Sequence, residues 1–298
     1  MDNTIKESFH SIITADGSSG FKAEVDRYHL YISLACPWAC RTLIVRKLKK
    51  LENVISLSIV DPVMGDEGWH FSENAGCISD FVNHKKYLSE IYEMAQPNFS
   101  GRVSVPVLWD KKTKTIVNNE SPEIIRMFNS EFNAFTDSKI DLYPVAFRTE
   151  INAINQRVFE NINLGVYKAG FANTQEEYET AFHALFAELD RVEKLLSQKR
   201  YLTGNQITEA DWRLFTTLIR FDAVYYVHFK CNLHRIIDYP NIGNYVRELY
   251  QYPGIKETVN FDHIKRHYYL SHTDINPKGI VPLGPELKFD EPHNRGNR

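Results

Sequence analysis

Apolar residues fall into two regimes along the chain. Residues 27–33 (RYHLYIS) and 54–60 (VISLSIV) are short runs rich in Tyr, Ile, Leu and Val, as strands are. Residues 38–51, between them, carry apolar positions at helical spacing with Lys and Arg gathered toward the end, which predicts a helix. A strand, a helix and a strand within about 35 residues make a βαβ unit, whose right-handed crossover sets the strands parallel. Residues 61–100 start Gly-rich and become amphipathic around 81–94, predicting an active-site loop and then a helix. Residues 103–109 (VSVPVLW) and 115–117 read as a hairpin with its turn at 110–114, and 123–128 as a helix with Ser121 as N-cap and Pro122 at the first helical position.

The order βαβ, helix, ββα is that of a thioredoxin-like α/β domain over residues 27–132. A polar arm, residues 1–26, precedes it, with a flexible stretch at 16–20. From residue 143 strand signals vanish, which predicts an all-α domain over 143–298. Residues 174–197 place Phe182, Leu185, Phe186, Leu189, Val192 and Leu196 on one face. Thr208 to Asp211 form a capping box ahead of the apolar run that starts at Trp212. The last segment, 276–298, is rich in Pro and Gly and is expected to lie extended over the surface.

Composition adds exclusions. A net charge of -3 with 24% charged residues gives no footprint for nucleic acid, and no apolar run reaches the length that would span a membrane. The first 20 residues contain no signal-peptide core, so a cytoplasmic location is expected. Four scattered cysteines do not make a disulfide framework, which leaves free thiols in a reducing compartment.

Two of those thiols stand together in LACPWACRTLI, residues 34–44. With Pro37 opening the helix, Cys36 is the N-cap, where free N–H groups and the positive end of the helix dipole favour a thiolate. Cys40 falls one turn inside, beside Leu43 and Ile44, and reads as a buried structural residue. Three intervening residues set the pair apart from a Cys-x-x-Cys dithiol and favour a one-cysteine mechanism. Val105-Pro106 reads either as a cis-proline site that leaves the Val105 backbone open to a peptide-like ligand, or as a lone proline in an edge strand. Glu120-Ser121 reads either as a ligand-binding helix start or as an ordinary cap. His263 and His267 share a helical spacing but have no third ligand, so no metal is expected. The basic run 46–50 reads as a solvated helix end.

Taken together, RYHLYISLACPWACRTLI, Gly68-Trp69-His70-Phe71, GRVSVPVLWDKKTKTIVNNES, GVYKAGFA, RYLTGNQITEAD, RFDAVYYVHFKCN and HYYLSHTDINPKGIVP resemble the glutathione transferase superfamily. Within it they resemble the xi class, the glutathionyl-hydroquinone reductases, from about Asp26 to the C-terminus. The resemblance implies an enzyme with glutathione as co-substrate and no metal, acting as a homodimer. It implies that Cys36 attacks the glutathione sulfur of a glutathionyl-hydroquinone, and that a second glutathione resolves the mixed disulfide. It also implies that Trp69, Arg102, Val105, Glu120 and Ser121 hold glutathione, with Tyr167, Tyr225 and Tyr268 around the aromatic substrate. With 16 Tyr in the chain, no single tyrosine carries that signal without the resemblance. One departure is Cys40, where the family motif often has histidine; it leaves open a Cys36–Cys40 disulfide under oxidation. The alternatives are a broader omega-like thiol transferase or dehydroascorbate reductase, and a non-catalytic binding protein on the same scaffold.

Overall fold

Tyr28, Leu30, Tyr31 and Ile32 are all withdrawn from solvent, and the strand they form is the centre of the first unit in a computed structural model describing residues 8–296. In chain order the elements here are β1 (Ile13–Thr14), β2 (Phe21–Lys22), β3 (Tyr28–Ile32), α1 (Pro37–Leu48), β4 (Ile55–Ile59), α2 (Leu88–Ala95), β5 (Val107–Asp110), β6 (Thr115–Asn118) and α3 (Ser121–Ser130). The main sheet has the order β4-β3-β5-β6, with β1 and β2 forming a separate short pair. β3 pairs β4 in parallel, Tyr28 facing Ile55 and Ile32 facing Ile59, and pairs β5 antiparallel. The βαβ crossover and the hairpin are as the hydrophobic pattern predicts, and the thioredoxin-like arrangement follows from them.

Local differences have local causes. The helix expected around 81–94 begins only at Leu88, because Asp80 accepts the amides of Val82, Asn83 and Lys85 and so winds the chain into a turn instead. β5 begins after Pro106, which has no N–H to give a ladder. α3 starts one residue earlier than expected, with Glu120 as N-cap and Ser121 in the first turn. The basic run is not simply solvated. Arg46 donates to the carbonyls of Ile55 and Glu52, and Lys49 to Asn133 and the Ile140 carbonyl, while Lys47 and Lys50 face water.

The arm is likewise more ordered than its polarity suggests. Residues 1–7 of it lie outside the described residues. Beyond them, His10 bridges Asn118, the Ile13 amide meets the Met127 sulfur, and Ile13 is buried, so a few apolar side chains anchor a mainly polar segment.

His29, on β3, gives a pH test. Its ring nitrogens lie 2.7 Å from Ser56 Oγ and 3.0 Å from Ser58 Oγ on β4, and burial pushes its pKa from 6.5 down to about 3. Below pH 6.5 the unfolded chain therefore takes up a proton that the folded chain refuses. Stability attributable to this ring is complete above that pH and falls by about 1.4 kcal/mol per unit as pH drops toward 3. Urea unfolding of the wild type and of His29→Gln at pH 7.5, 6 and 5 should give stability differences that shrink or reverse with acid. Parallel pH profiles would overturn the expectation.

The second unit is helical. It contains α4 (Arg148–Val158), α5 (Gly165–Gly170), α6 (Gln175–Gln198), α7 (Glu209–Arg220), α8 (Tyr226–His228) and α9 (Pro240–Tyr250), with wide π turns at Phe159–Asn163 and Phe221–Tyr225. Along α6 the predicted face is buried at Leu185, Phe186, Leu189, Val192 and Leu196, with Phe182 half-buried, and Thr174 caps the helix by accepting the Glu177 amide. The capping box at Thr208 and Asp211 forms as expected. Residues 276–296 run without helix or strand, and Arg295 pins them by donating to Glu248 and to backbone carbonyls at Leu196, Lys199 and Arg200. Residues 297 and 298 lie outside the described residues. No helix among the described residues is long and apolar enough to cross a membrane.

One further helix, α10 (Phe261–Ser271), follows. Thr258–Ser271 groups with the residues up to Ile140, whereas Asp141–Glu257 and the residues from His272 onward make up the second unit. The sequence reading places 258–271 in the helical domain. The contacts on the first unit explain the difference. His263 Nε2 donates to the Ala75 carbonyl at 2.8 Å, His267 Nδ1 to the Pro62 carbonyl at 2.8 Å, and the Met64 amide to Ser271 Oγ at 3.0 Å. Gly76, with φ +84°, permits this approach: a Cβ there would lie 2.6 Å from His263 Nε2.

Candidate active site

Cys36 stands at the junction between β3 and α1. It is the N-cap in extended conformation (φ -74°, ψ 122°), Pro37 opens the helix, and the Cys36 side chain makes no capping bond of its own. The sulfur thus stands at the N-terminal end of α1, where the helix dipole stabilises negative charge. It lies 3.6 Å from the Val105 carbonyl, and the Val105–Pro106 peptide is cis. The thiol and the cis-proline loop, separated by 69 positions in sequence, therefore meet directly.

α1 and α3 are tied together by a residue that the sequence reading passed over. Arg41 is fully buried, its guanidinium lies over the Trp38 ring at 4.5 Å, and its Nη1 is 3.5 Å from Ser121 Oγ. Ser121 is buried in the first turn of α3, and Glu120 before it is half-buried. Arg102 is exposed in the loop leading to Val105.

Trp69 is buried and stacks on His267 of α10, ring centroids 4.8 Å apart at 21°. Since a carbonyl only accepts, the bond to Pro62 fixes the proton on His267 Nδ1 and sets the ring plane against the indole. Neither His267 nor Arg41 carries a sequence signal for these roles, because each acts on a partner far along the chain. His263 and His267 are both committed to carbonyls of the first unit, and among the described residues no group of three His, Cys, Asp or Glu is placed to hold a metal.

The three tyrosines do not share one unit. Tyr167 and Tyr225 lie in the helical unit with ring centroids 6.0 Å apart at 60°, in a cluster with Phe171 and Phe229. Tyr268 is buried on α10 in the first unit, beside His267.

The remaining cysteines are free thiols. Cys40 is buried with its sulfur 3.8 Å from the Thr258 carbonyl. Burial pushes the Cys231 thiol up to about 12 and also raises that of Cys77. Neither is set up to be a nucleophile at neutral pH.

The glutathione S-transferase N-terminal domain model matches residues 35–131 and the C-terminal domain model residues 175–248. The chain is 54% identical to the glutathionyl-hydroquinone reductase YqjG of Escherichia coli (strain K12), over 98% of this chain and 91% of that protein. The glutathione-bound structure of YqjG superposes with a TM-score of 0.95 over 96% of each chain, at 55% identity. The glutathionyl-hydroquinone reductase PcpF of Sphingobium chlorophenolicum is 51% identical over 90% of this chain and 85% of its own length. The xi class transferase of Natrialba magadii gives a TM-score of 0.97 at 48% identity, over 98% of this chain and 90% of that one. An N-terminal thioredoxin-like domain and a helical C-terminal part agree with these likenesses. The chain belongs to the glutathione transferase superfamily, in its xi class branch of glutathionyl-hydroquinone reductases.

Proposed function

We propose that the protein reduces glutathionyl-hydroquinones to hydroquinones with glutathione as the reductant. The observation that carries this reading is the Cys36 thiol at the start of α1, 3.6 Å from the carbonyl that precedes cis-Pro106. The Cys36 thiolate attacks the glutathione sulfur of the substrate. A sulfur–sulfur bond forms, the bond from sulfur to the ring carbon breaks, and that carbon takes up a proton as the hydroquinone leaves. A second glutathione thiolate then attacks the glutathione sulfur of the mixed disulfide, giving glutathione disulfide and restoring the Cys36 thiolate. Each turnover consumes one glutathione, and the proton its thiol gives up balances the one taken up by the ring carbon.

In this reading Trp69 and Arg102 hold the glycyl side of glutathione, Val105 pairs with its backbone, and Glu120 and Ser121 take the γ-glutamyl end. Tyr167, Tyr225 and Tyr268 are the hydroxyl donors to the ring oxygens and the proton source for the ring carbon. Serine or tyrosine at position 36 would instead hold a glutathione thiolate ready for conjugation. The protein acts as a cytoplasmic homodimer, which sedimentation velocity tests against a monomer.

The chemistry is tested at the sulfur. Incubation with glutathione disulfide should add one glutathione, at Cys36, by peptide mass spectrometry, and labelling at Cys40 or Cys77 instead would overturn the assignment. Iodoacetamide alkylation of Cys36 should have its pH midpoint below about 8.5, the value of an ordinary thiol, because of the helix start. Glutathionyl-hydroquinone should be turned over faster than hydroxyethyl disulfide; the reverse order would favour a general thiol transferase.

A further inference from the structure

We propose that Tyr92 and Asn119, braced by the segment 8–10 of the N-terminal arm, are positioning residues for glutathione: they fix the loop before Val105 and the residue before Glu120 relative to one another. The inference rests on the reading of Val105 and Glu120 as glutathione contacts. It assigns a task to side chains that touch no reacting atom.

The Tyr92 ring is buried on α2. Its hydroxyl donates to the Ser104 carbonyl at 2.8 Å and accepts the Ser104 amide at 3.2 Å and Asn119 Nδ2 at 3.2 Å. One donor and two acceptor sites are all that a phenol has, so the group is fully used in joining these two loops. Burial raises the Tyr92 pKa, so the hydroxyl stays a donor through neutral pH. Ser104 is the residue before Val105, in the stretch that precedes β5 and is outside the ladder. Asn119 is the residue before Glu120, the N-cap of α3.

The arm completes the brace from the other side. Asn119 Oδ1 accepts the Phe9 amide at 3.0 Å and the Ser8 hydroxyl at 2.8 Å, and the Asn119 amide donates to the Phe9 carbonyl at 3.2 Å. Ser8 Oγ is also 3.0 Å from Glu120 Oε1, so its one proton is shared between the two acceptors and limits where the Glu120 carboxylate points. The Phe9 ring meets Tyr92 edge-on at 6.0 Å and stacks on Phe99 at 5.8 Å. A segment whose composition is that of a loose arm is in this way built into the wall behind the glutathione site. A bound tripeptide would need Val105 and Glu120 at a fixed separation, and this network sets it.

Tyr92→Phe removes only the hydroxyl. It is expected to raise the KM for glutathione in the resolving step about fivefold, with kcat at saturating glutathione within about twofold of wild type. The alkylation rate of Cys36 should stay within about twofold of wild type, since the helix start that favours its thiolate is unaltered. Asn119→Ala should show the same split, and the double variant should lose less than the product of the two single effects, because both act through one network. Ser8→Ala, at the edge of the fold, should raise KM without lowering thermal stability, which a purely structural role does not produce. Unchanged glutathione KM in all three single variants overturns the inference if Glu120→Gln still raises it. A Glu120→Gln that leaves KM unchanged overturns the reading of the glutathione site and this inference with it.

Discussion

Replacing Cys36 with alanine is expected to abolish release of hydroquinone from its glutathionyl adduct, with a loss of at least about 10³-fold in kcat/KM. The loss is large because neither other thiol among the described residues of the first unit is set up to take over the step. Cys40 is one turn away in sequence but turns its sulfur to the Thr258 carbonyl, and Cys77 is a partly buried thiol with a raised pKa. The variant should still bind glutathione, since the proposed contacts at Val105, Glu120 and Ser121 are unaffected. Stopped turnover with intact glutathione binding by calorimetry is therefore the expected pair of results. Turnover above a few per cent of wild type would sink the mechanism. Cys36→Ser should be as slow in reduction, since an alkoxide at a helix start cannot form the mixed disulfide.

Asp211→Ala should produce the largest loss of stability of any single change outside the hydrophobic core. The Asp211 carboxylate is wholly buried and accepts four hydrogen bonds, from the Leu202 amide at 2.9 Å, the Thr208 amide at 2.8 Å, the Thr208 hydroxyl at 3.1 Å and the Tyr245 hydroxyl at 2.8 Å. Burial raises its pKa, so keeping it ionised has a cost that the variant escapes. Against that, alanine leaves two backbone amides and a fully buried tyrosine hydroxyl without acceptors, and each costs about 1–3 kcal/mol. The second effect is larger. A net loss of about 3–4 kcal/mol in urea unfolding at pH 7 is expected. Asp211→Asn should lose less, since one oxygen remains for Leu202 and Tyr245. A loss under about 1 kcal/mol for alanine would show that the helix start is held by other means.

What the sequence made legible was what neighbouring residues decide. Pro37 marks the first turn of α1 and so identifies Cys36 as the N-cap without any knowledge of the fold. Thr208 and Asp211 announce α7 for the same reason, their spacing being that of a reciprocal cap. Where side chain competes with backbone, pattern misleads: the amphipathic stretch from Phe81 looked helical, but the Asp80 carboxylate takes the turn amides of Val82, Asn83 and Lys85 and delays α2 to Leu88. Charge misleads similarly at Arg46 and Lys49, whose stems and heads are buried under carbonyl partners that come from β4 and from the chain before Asp141. Arg41, His267, Tyr92 and Asn119 were out of reach altogether. Each matters only through a partner on another element, and nothing local marks an arginine, a histidine, a tyrosine or an asparagine for such a duty.

The return of Thr258–Ser271 to the first unit has a consequence for how the chain comes apart. The path goes from the first unit to the second, back for α10, and out again, so the second unit is not a bead on a single string. While α10 stays docked, Asp141–Glu257 is leashed at both ends, and its unfolded form is a closed loop rather than a free coil. For a loop of this size the lost entropy is worth roughly 5 kcal/mol, comparable to that of a long-range covalent crosslink. A fragment that stops at Ile140 forfeits the helix whose His267 stacks on Trp69. The protein cannot be cut into its two halves at any one peptide bond.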